Sequence, residues 1–154
     1  MPVSGGVFMH AMIRVGNPEK SIAFYSLLGL KVLRKKDFPE DKFSLVFLGY
    51  ESERNATALE LTYNYGVEAY AQPENPAFGH LCFGVDDVVS AVSTFRDLGY
   101  TINYLSDDGY MAFILDPDKY EIELLEKKRM FAEAEKDYVD QKTISAAPPA
   151  DAAE

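Results

Sequence analysis

Residues 78–87 read FGHLCFGVDD and residues 8–17 read FMHAMIRVGN, so that each stretch places a histidine at the start of an apolar run. His10 and His80 are the only two histidines of the chain, and they lie 70 residues apart. The same offset aligns further positions: Val15 with Val85, Ile22 with Val92, Tyr25 with Phe95, and Leu28-Gly29 with Leu98-Gly99. The chain therefore contains an internal repeat, which indicates a repeated supersecondary unit.

Each repeat is predicted to have the element order βαβββ. In the first repeat, residues 8–65, an apolar strand turns at VGNPEKS into a helix in which Ile22, Tyr25 and Leu28 recur at helical spacing, and three strands follow. The second repeat, residues 78–126, has the same order with shorter connections, so its last strand is offset by 63 residues rather than 70. We expect an α+β fold whose two modules pair into one continuous curved mixed sheet with an interior cleft.

The chain of 154 residues is predicted to form one domain over residues 1–126. The segment KKRMFAEAEKDYVDQK has apolar residues near helical spacing, which predicts a helix over residues 127–142. The final residues, 143–154, are small, acidic and contain proline, which is typical of a disordered tail.

Composition restricts the possible partners. A net charge of −10 argues against a nucleic-acid surface, which needs clustered Lys and Arg. No apolar stretch reaches the roughly 20 residues that a membrane span needs, and the first ten residues do not resemble a secretory signal. The single cysteine, Cys82, fits a reducing compartment and is expected to be a small buried apolar side chain. We therefore expect a cytoplasmic protein with no membrane partner.

Four side chains are candidates for chemistry, because each repeat supplies a histidine on its first strand and a glutamate on its last. A lone histidine or glutamate on a strand is usually structural or solvated. Two imidazoles and two carboxylates together suit a divalent transition metal with open coordination positions, unlike closed zinc sites built from thiolates. The sequence therefore predicts a metal site made of His10, Glu60, His80 and Glu123.

The motifs MHAMIRVGN, FYSLLGLKVLR, LVFLGYE, LELTYNYGV, FGHLCFGVDD and DPDKYEIELLE closely resemble glyoxalase I (lactoylglutathione lyase), a family of the vicinal oxygen chelate superfamily. The resemblance runs over residues 8–126 and implies the glyoxalase/bleomycin-resistance-like fold of paired βαβββ modules. It also implies a homodimer in which each site combines His10 and Glu60 of one chain with His80 and Glu123 of the other.

The implied substrate is the hemithioacetal of methylglyoxal and a thiol such as glutathione, and the implied product is the S-D-lactoyl thioester. The resemblance also implies that Glu123 is the favoured catalytic base and Glu60 its counterpart. One divalent metal per site is implied. Ni²⁺ is favoured over Co²⁺ or Zn²⁺, because family members with a histidine at the first ligand position and short loops tend to use nickel or cobalt.

Arg14 and Asn64 each lie four residues beyond a ligand on the same strand face, about 13 Å along the strand. The resemblance assigns both to the γ-glutamyl group of the thiol, although a salt bridge at the rim is an alternative for Arg14. The equivalent positions of the second repeat hold Gly84 and Lys127, so the binding arm is predicted to be asymmetric.

The segment YTINYLSDDGYMAF has no Lys or Arg and contains Asp107 and Asp108. An acidic rim would attract a polyamine, and the short loop resembles the branch of the family that uses trypanothione, two glutathiones joined through spermidine. The alternative is a simple polar turn before Gly109.

One departure from the family pattern is Lys119, where glycine is usual in DPDGY, and a left-handed lysine there would be strained. FYSLLG is also one residue shorter than usual. Rival functions on the same fold are an acyl-thioester epimerase and a non-catalytic ligand-sequestering protein. Ring-cleaving dioxygenases use two histidines and one glutamate, so the fourth ligand argues against them.

Overall fold

The computed structural model of the chain describes residues 4–71 and 77–136. The first module contains β1 (His10–Arg14), α1 (Pro18–Leu27), β2 (Lys31–Phe38), β3 (Phe43–Gly49) and β4 (Ala58–Asn64). The second contains β5 (His80–Val85), α2 (Val88–Asp97), β6 (Ile102–Leu105), β7 (Met111–Leu115) and β8 (Glu121–Glu126). The predicted βαβββ order is confirmed in both modules.

A third helix, α3 (Lys127–Lys136), follows β8 directly. The predicted continuation of this helix to residue 142 and the predicted tail over 143–154 lie outside the described residues. The division of the chain at residue 126 stays a prediction. Among the described residues, no helix combines the length and the apolar character that crossing a membrane requires.

The strands form two four-stranded sheets, ordered β1-β4-β3-β2 and β5-β8-β7-β6. In each sheet the first and last strands of the module pair in parallel, and the other neighbours are antiparallel. The predicted α+β fold of two tandem modules is confirmed. The expectation of one continuous sheet within the chain is wrong for the described residues, because β1 and β5 each lie at the edge of their own sheet instead of pairing with each other.

The helices of the two modules, α1 and α2, begin and end in the same way. Asn17 and Asp87 are the N-caps, and each side chain accepts a hydrogen bond from the backbone N–H three residues later. Pro18 occupies the first turn of α1, where its missing N–H has no partner to lose. Beyond the helix ends, Gly29 and Gly99 have φ values of 89° and 84°, which a side chain would disfavour. The internal repeat therefore also repeats the residues that begin and end each module's helix.

One hydrophobic core joins the modules. The Phe24 ring of α1 packs against the Phe95 ring of α2, with 5.0 Å between centroids, and edge-on against Tyr100. The two sheets are therefore held together by side-chain packing of their helices. This arrangement leaves β1 and β5 free at the sheet edges.

A buried polar cluster also connects the modules. The Asp116 carboxylate lies in the loop before β8 and accepts hydrogen bonds from the Tyr25 hydroxyl of α1, at 2.8 Å, and from the backbone N–H groups of Asp118 and Tyr120. Asp118 in turn accepts a hydrogen bond from the Gly16 N–H at 2.8 Å. Burial outweighs these donors and raises the pKa of Asp116 to about 6.

Candidate metal and substrate site

Each sheet places one histidine beside one glutamate. His10 opens β1 and Glu60 lies on β4, its parallel neighbour, with 2.9 Å between His10 Nε2 and Glu60 Oε2. His80 opens β5 and Glu123 lies on β8, again with 2.9 Å between Nε2 and Oε2. The register is the same in both sheets, because each glutamate lies two residues beyond the ladder partner of its histidine. We call these pairs the first and second half-sites.

The two half-sites are also alike in exposure. The His10 and His80 side chains are 39% and 41% exposed, whereas the Glu60 and Glu123 side chains are 11% and 15% exposed. Each imidazole therefore reaches solvent while its carboxylate lies deeper in the sheet. An accessible nitrogen beside a sheltered carboxylate oxygen suits a ligand pair that has room for a further partner.

The four predicted metal ligands do not meet within one chain. Over residues 4–71 and 77–136 no group of three or more His, Cys, Asp or Glu side chains is arranged to hold a metal ion. Each half-site supplies one nitrogen and one oxygen donor. The donor chemistry fits a divalent transition metal, but a four-ligand set requires a first and a second half-site together.

The structure brings Arg14 and Asn64 to the same end of the first sheet. Arg14 on β1 pairs with Thr62 on β4, and Asn64 lies two residues further along β4. Arg14 is exposed, on the face that also carries His10, as the strand alternation predicts. Its guanidinium makes no hydrogen bond or ion pair with any described residue, and the Asn64 Nδ2 donates a hydrogen bond to the Tyr70 hydroxyl at 2.9 Å.

The equivalent end of the second sheet differs, as predicted. Gly84 has no side chain, and Lys127 forms an ion pair with Asp86, with 2.8 Å between Nζ and Oδ1. The second module therefore offers no free cation at this position. Only the first module can present a guanidinium to an anionic end of a ligand here.

The loop that carries Asp107 and Asp108 has less net negative charge than the sequence predicts, because an arginine pairs with one of its two carboxylates. Asp108 Oδ2 lies 2.7 Å from Arg129 Nη1 of α3, and the Arg129 guanidinium lies 4.2 Å from the centroid of the Tyr110 ring. Hydrogen bonding to Arg129 lowers the pKa of Asp108 to about 2. Asp107 is exposed and makes no hydrogen bond or ion pair with a described residue. Sequence reasoning missed Arg129 because it lies outside the loop, on the next helix.

Cys82 is exposed, so the expectation that it is buried is wrong. It lies two residues beyond His80 and therefore on the same strand face, directly opposite Glu123 in the ladder. Partial burial and a hydrogen bond to Glu123 raise the pKa of the thiol to about 12. Cys82 is thus a protonated neighbour of the second half-site, which strand alternation could have indicated.

Sequence reasoning also missed two phenylalanines. Phe47 on β3 and Phe113 on β7 lie opposite Glu60 and Glu123, and each ring contacts the histidine of its half-site. The sequence pattern marks both residues only as members of apolar strands.

Comparison with known proteins gives one consistent group of relatives. The sequence profile of the Glyoxalase/Bleomycin resistance protein/Dioxygenase superfamily matches residues 7–124. Lactoylglutathione lyase of Neisseria meningitidis serogroup A is 43% identical over 128 residues, covering 78% of this chain and 90% of that protein. Lactoylglutathione lyase of Haemophilus influenzae is 40% identical over 126 residues, covering 78% and 92%. The structure of the trypanothione-dependent glyoxalase I of Leishmania major superposes with a TM-score of 0.82 at 51% identity, covering 86% of this chain and 95% of that one.

Proposed function

Because the chain belongs to the Glyoxalase/Bleomycin resistance protein/Dioxygenase superfamily and, within it, to the lactoylglutathione lyases, we propose that it isomerises the hemithioacetal of methylglyoxal and a thiol to the S-D-lactoyl thioester. The observation that carries this proposal is the repeated histidine–glutamate pair. Both carboxylates are sheltered from solvent and both imidazoles are accessible. The cellular role would be methylglyoxal detoxification, and a cytoplasmic location stays a prediction.

The active unit in this proposal is a homodimer with shared sites. The first half-site of one chain faces the second half-site of its partner, which completes a set of two histidines and two glutamates. Two observations support it: β1 and β5 are edge strands, and apolar side chains before β1 are exposed, with Phe8 71% accessible. Exposed apolar side chains next to a free strand edge favour contact with another chain.

Enzymes of the glyoxalase I family depend on a metal ion. The residues that would hold it are His10 and Glu60 of one chain with His80 and Glu123 of the other. A divalent ion bound there supplies a positive charge that stabilises the two adjacent oxygens of the substrate as they become negative. Ni²⁺ is the proposed ion. Greater activity of the metal-free protein after reconstitution with Zn²⁺ than with Ni²⁺ or Co²⁺ would overturn that choice.

The proton transfers are assigned to the two carboxylates. Glu123 removes the C–H proton from the carbon that bears sulfur and hydroxyl, which leaves an enediolate. A proton then returns to the neighbouring carbon, and the original hydroxyl proton moves to the former carbonyl oxygen, so that no atom is gained or lost. Glu60 is the counterpart on the other side of the carbon pair. Arg14 and Asn64 hold the γ-glutamyl end of the thiol, the guanidinium pairing with its carboxylate.

The thiol is proposed to be trypanothione or glutathione. The structural relative from Leishmania major is trypanothione-dependent, and Asp107 leaves one uncompensated negative charge on the loop before β7. The pairing of Asp108 with Arg129 reduces the local negative charge, so the expected preference for a cationic polyamine is carried mainly by Asp107.

Two alternatives remain on this fold, an acyl-thioester epimerase and a ligand-sequestering protein. An assay separates them from the proposal: protein is added to methylglyoxal that has equilibrated with thiol, and the ultraviolet absorbance of the product thioester is followed. The proposed function predicts a catalytic rise. Sequestration predicts no rise, and an epimerase would act only on a supplied acyl thioester.

The assignment of the base predicts that Glu123→Gln lowers kcat roughly 10²- to 10⁴-fold, because a general base is lost while the fold is kept. Glu121→Gln is the matched control, since Glu121 lies on the same strand but is exposed and accepts a hydrogen bond from Asn103. Near-normal turnover of Glu123→Gln would show that another group is the base.

A further inference from the structure

Each half-site contains a third residue in the same position. Phe47 lies opposite Glu60 in the β3/β4 ladder, and its ring meets the His10 ring edge-on at 5.7 Å between centroids and 78° between planes. Phe113 lies opposite Glu123 in the β7/β8 ladder, and its ring meets the His80 ring at 5.4 Å and 79°. The same geometry thus occurs twice, at two places in the chain with different neighbouring sequences.

The edge-on contact restricts the imidazole. A ring held perpendicular against an aromatic neighbour cannot rotate about its side-chain bonds without losing the contact. In both half-sites the restricted orientation is the one that directs Nε2 toward the glutamate oxygen at 2.9 Å. Partners that fix the ring orientation of a ligating histidine, usually through hydrogen bonds, strengthen metal binding, and an aromatic contact that fixes the ring would act in the same sense.

The first half-site has an additional support. The Arg34 guanidinium carbon lies 3.4 Å from the centroid of the Phe47 ring, and Phe47 is only 3% exposed. Arg34 is itself held by Glu53, with hydrogen bonds of 2.6 and 3.1 Å to the two carboxylate oxygens. A cation–π contact fixed by a bidentate ion pair holds the phenylalanine ring in place.

The second half-site lacks this support. Tyr104 pairs with Phe113 in the β6/β7 ladder, just as Arg34 pairs with Phe47 in the β2/β3 ladder. Within residues 4–71 and 77–136 no cation lies over the Phe113 ring, and Phe113 is only partly buried. The two half-sites therefore differ in how firmly their aromatic ring is held.

We propose that Phe47 and Phe113 are positioning residues for His10 and His80, and that Arg34, acting through Phe47, makes the first half-site the more rigid of the two. The inference rests on the proposed metal site. It assigns to the phenylalanines a role toward the histidines, which differs from packing in the core.

The test is Ni²⁺ binding to the metal-free protein, measured by competition with a chelating dye. Phe47→Leu and Phe113→Leu are each expected to weaken Ni²⁺ binding about 10-fold, the lower end of the effect of residues that orient metal ligands. Arg34→Gln should weaken it about three- to fivefold, the value of an exposed cation–π contact. Tyr104→Phe, the control at the equivalent ladder position, should leave it unchanged.

Two further measurements separate positioning from stability. Val46→Ala removes buried volume next to Phe47, so it should lower the free energy of unfolding without changing Ni²⁺ affinity. With only two histidines in the chain, the imidazole NMR signals of metal-free protein can be followed singly. Arg34→Gln should increase the ring mobility of His10 and leave His80 unchanged.

The Ni²⁺ measurements distinguish a failure of the proposed metal site from a failure of the proposed positioning role. If the unsubstituted protein does not bind Ni²⁺, the proposed metal site itself is wrong. If it binds Ni²⁺ and both leucine variants bind equally well, the metal site stands and the positioning role is overturned. A loss of affinity in Val46→Ala as large as in Phe47→Leu would also overturn it, because the effect would then follow stability.

Discussion

At the scale of single residues, the turn before β8 contains a lysine in an unfavourable conformation. Lys119 has a φ of 69°, as the sequence DPDKY led us to expect. We predict that Lys119→Gly raises the free energy of unfolding by about 0.5–1 kcal/mol, since relief of the left-handed strain outweighs the added freedom of the unfolded chain. Urea unfolding measures this. Lys119→Ala is the control: it removes the same charge but keeps the Cβ atom, and an equal gain would contradict the explanation.

Asp116 gives the stability of the protein a dependence on pH. Its pKa is raised to about 6 in the folded state, above the roughly 3.9 of an unfolded chain. The protonated form is thus favoured by folding, so this contribution is fully present below pH about 3.9 and is lost as the pH rises through about 6. We predict that the free energy of unfolding, relative to Asp116→Asn, falls by about 2 kcal/mol between pH 4 and 7.5. A pH-independent difference between the two proteins would contradict this.

At the same scale, the sequence predicts that His10 and His80 lie in the site but gives no sign of their aromatic neighbours. His10 and His80 could be paired because a histidine at a fixed offset in a repeat is a visible signal. Phe47 and Phe113 gave no such signal, because an aromatic residue in an apolar strand is expected whether or not it contacts a histidine. Their role depends on the ladder register, which only the structure supplies.

At the scale of elements, the order of strands and helices followed from the periodicity of apolar residues and from the repeat. The first predicted strand, which opens the repeat at residue 8, is shorter in the structure, His10–Arg14, because its ladder register with β4 begins at the pair His10 and Ala58. The faces of β1 alternate as predicted, with His10 and Arg14 outward and Ile13 in the core. The contact of α3 with the loop that carries Asp107 and Asp108 could not be predicted, because nothing local in the sequence links Arg129 to Asp108.

That contact leads to a prediction about the thiol. Arg129→Gln frees the Asp108 carboxylate, so it should raise kcat/KM for the trypanothione adduct relative to the glutathione adduct about two- to fivefold, the value of one exposed charge pair. The adduct of glutathionylspermidine should lie between them. High salt should reduce the effect of Arg129→Gln on the ratio of the two kcat/KM values, because salt screens exposed charges. Asp107→Asn combined with Asp108→Asn should shift the preference the other way.

Arg96→Gln is the matched control, because Arg96 is an exposed arginine in the last turn of α2. An unchanged ratio in Arg129→Gln, or an equal change in Arg96→Gln, would show that the loop charge does not select the thiol.

At the scale of the whole molecule, the sequence predicted the two modules but not how their sheets would be separated. Hydrophobic alternation defines which face of a strand is buried, and it contains no information on which strand edge meets which. β1 and β5 therefore could have paired within one chain, whereas the structure leaves each at an edge and leaves the four predicted ligands as two pairs. The proposed shared-site homodimer would account for both features.

The most direct test of the shared site is a heterodimer of two inactive chains. One chain carries His10→Gln with Glu60→Gln and a first affinity tag, and the other carries His80→Gln with Glu123→Gln and a second tag. After coexpression, purification over both tags isolates dimers that contain one chain of each kind. In a twofold-symmetric dimer with shared sites, one of the two sites then receives only intact residues.

If the two sites are shared between the chains, each variant alone is inactive and the doubly purified heterodimer forms the lactoyl thioester at about half the rate of the unsubstituted dimer. A heterodimer that is as inactive as its parents would rule out shared sites, because sites built within single chains cannot be restored by mixing.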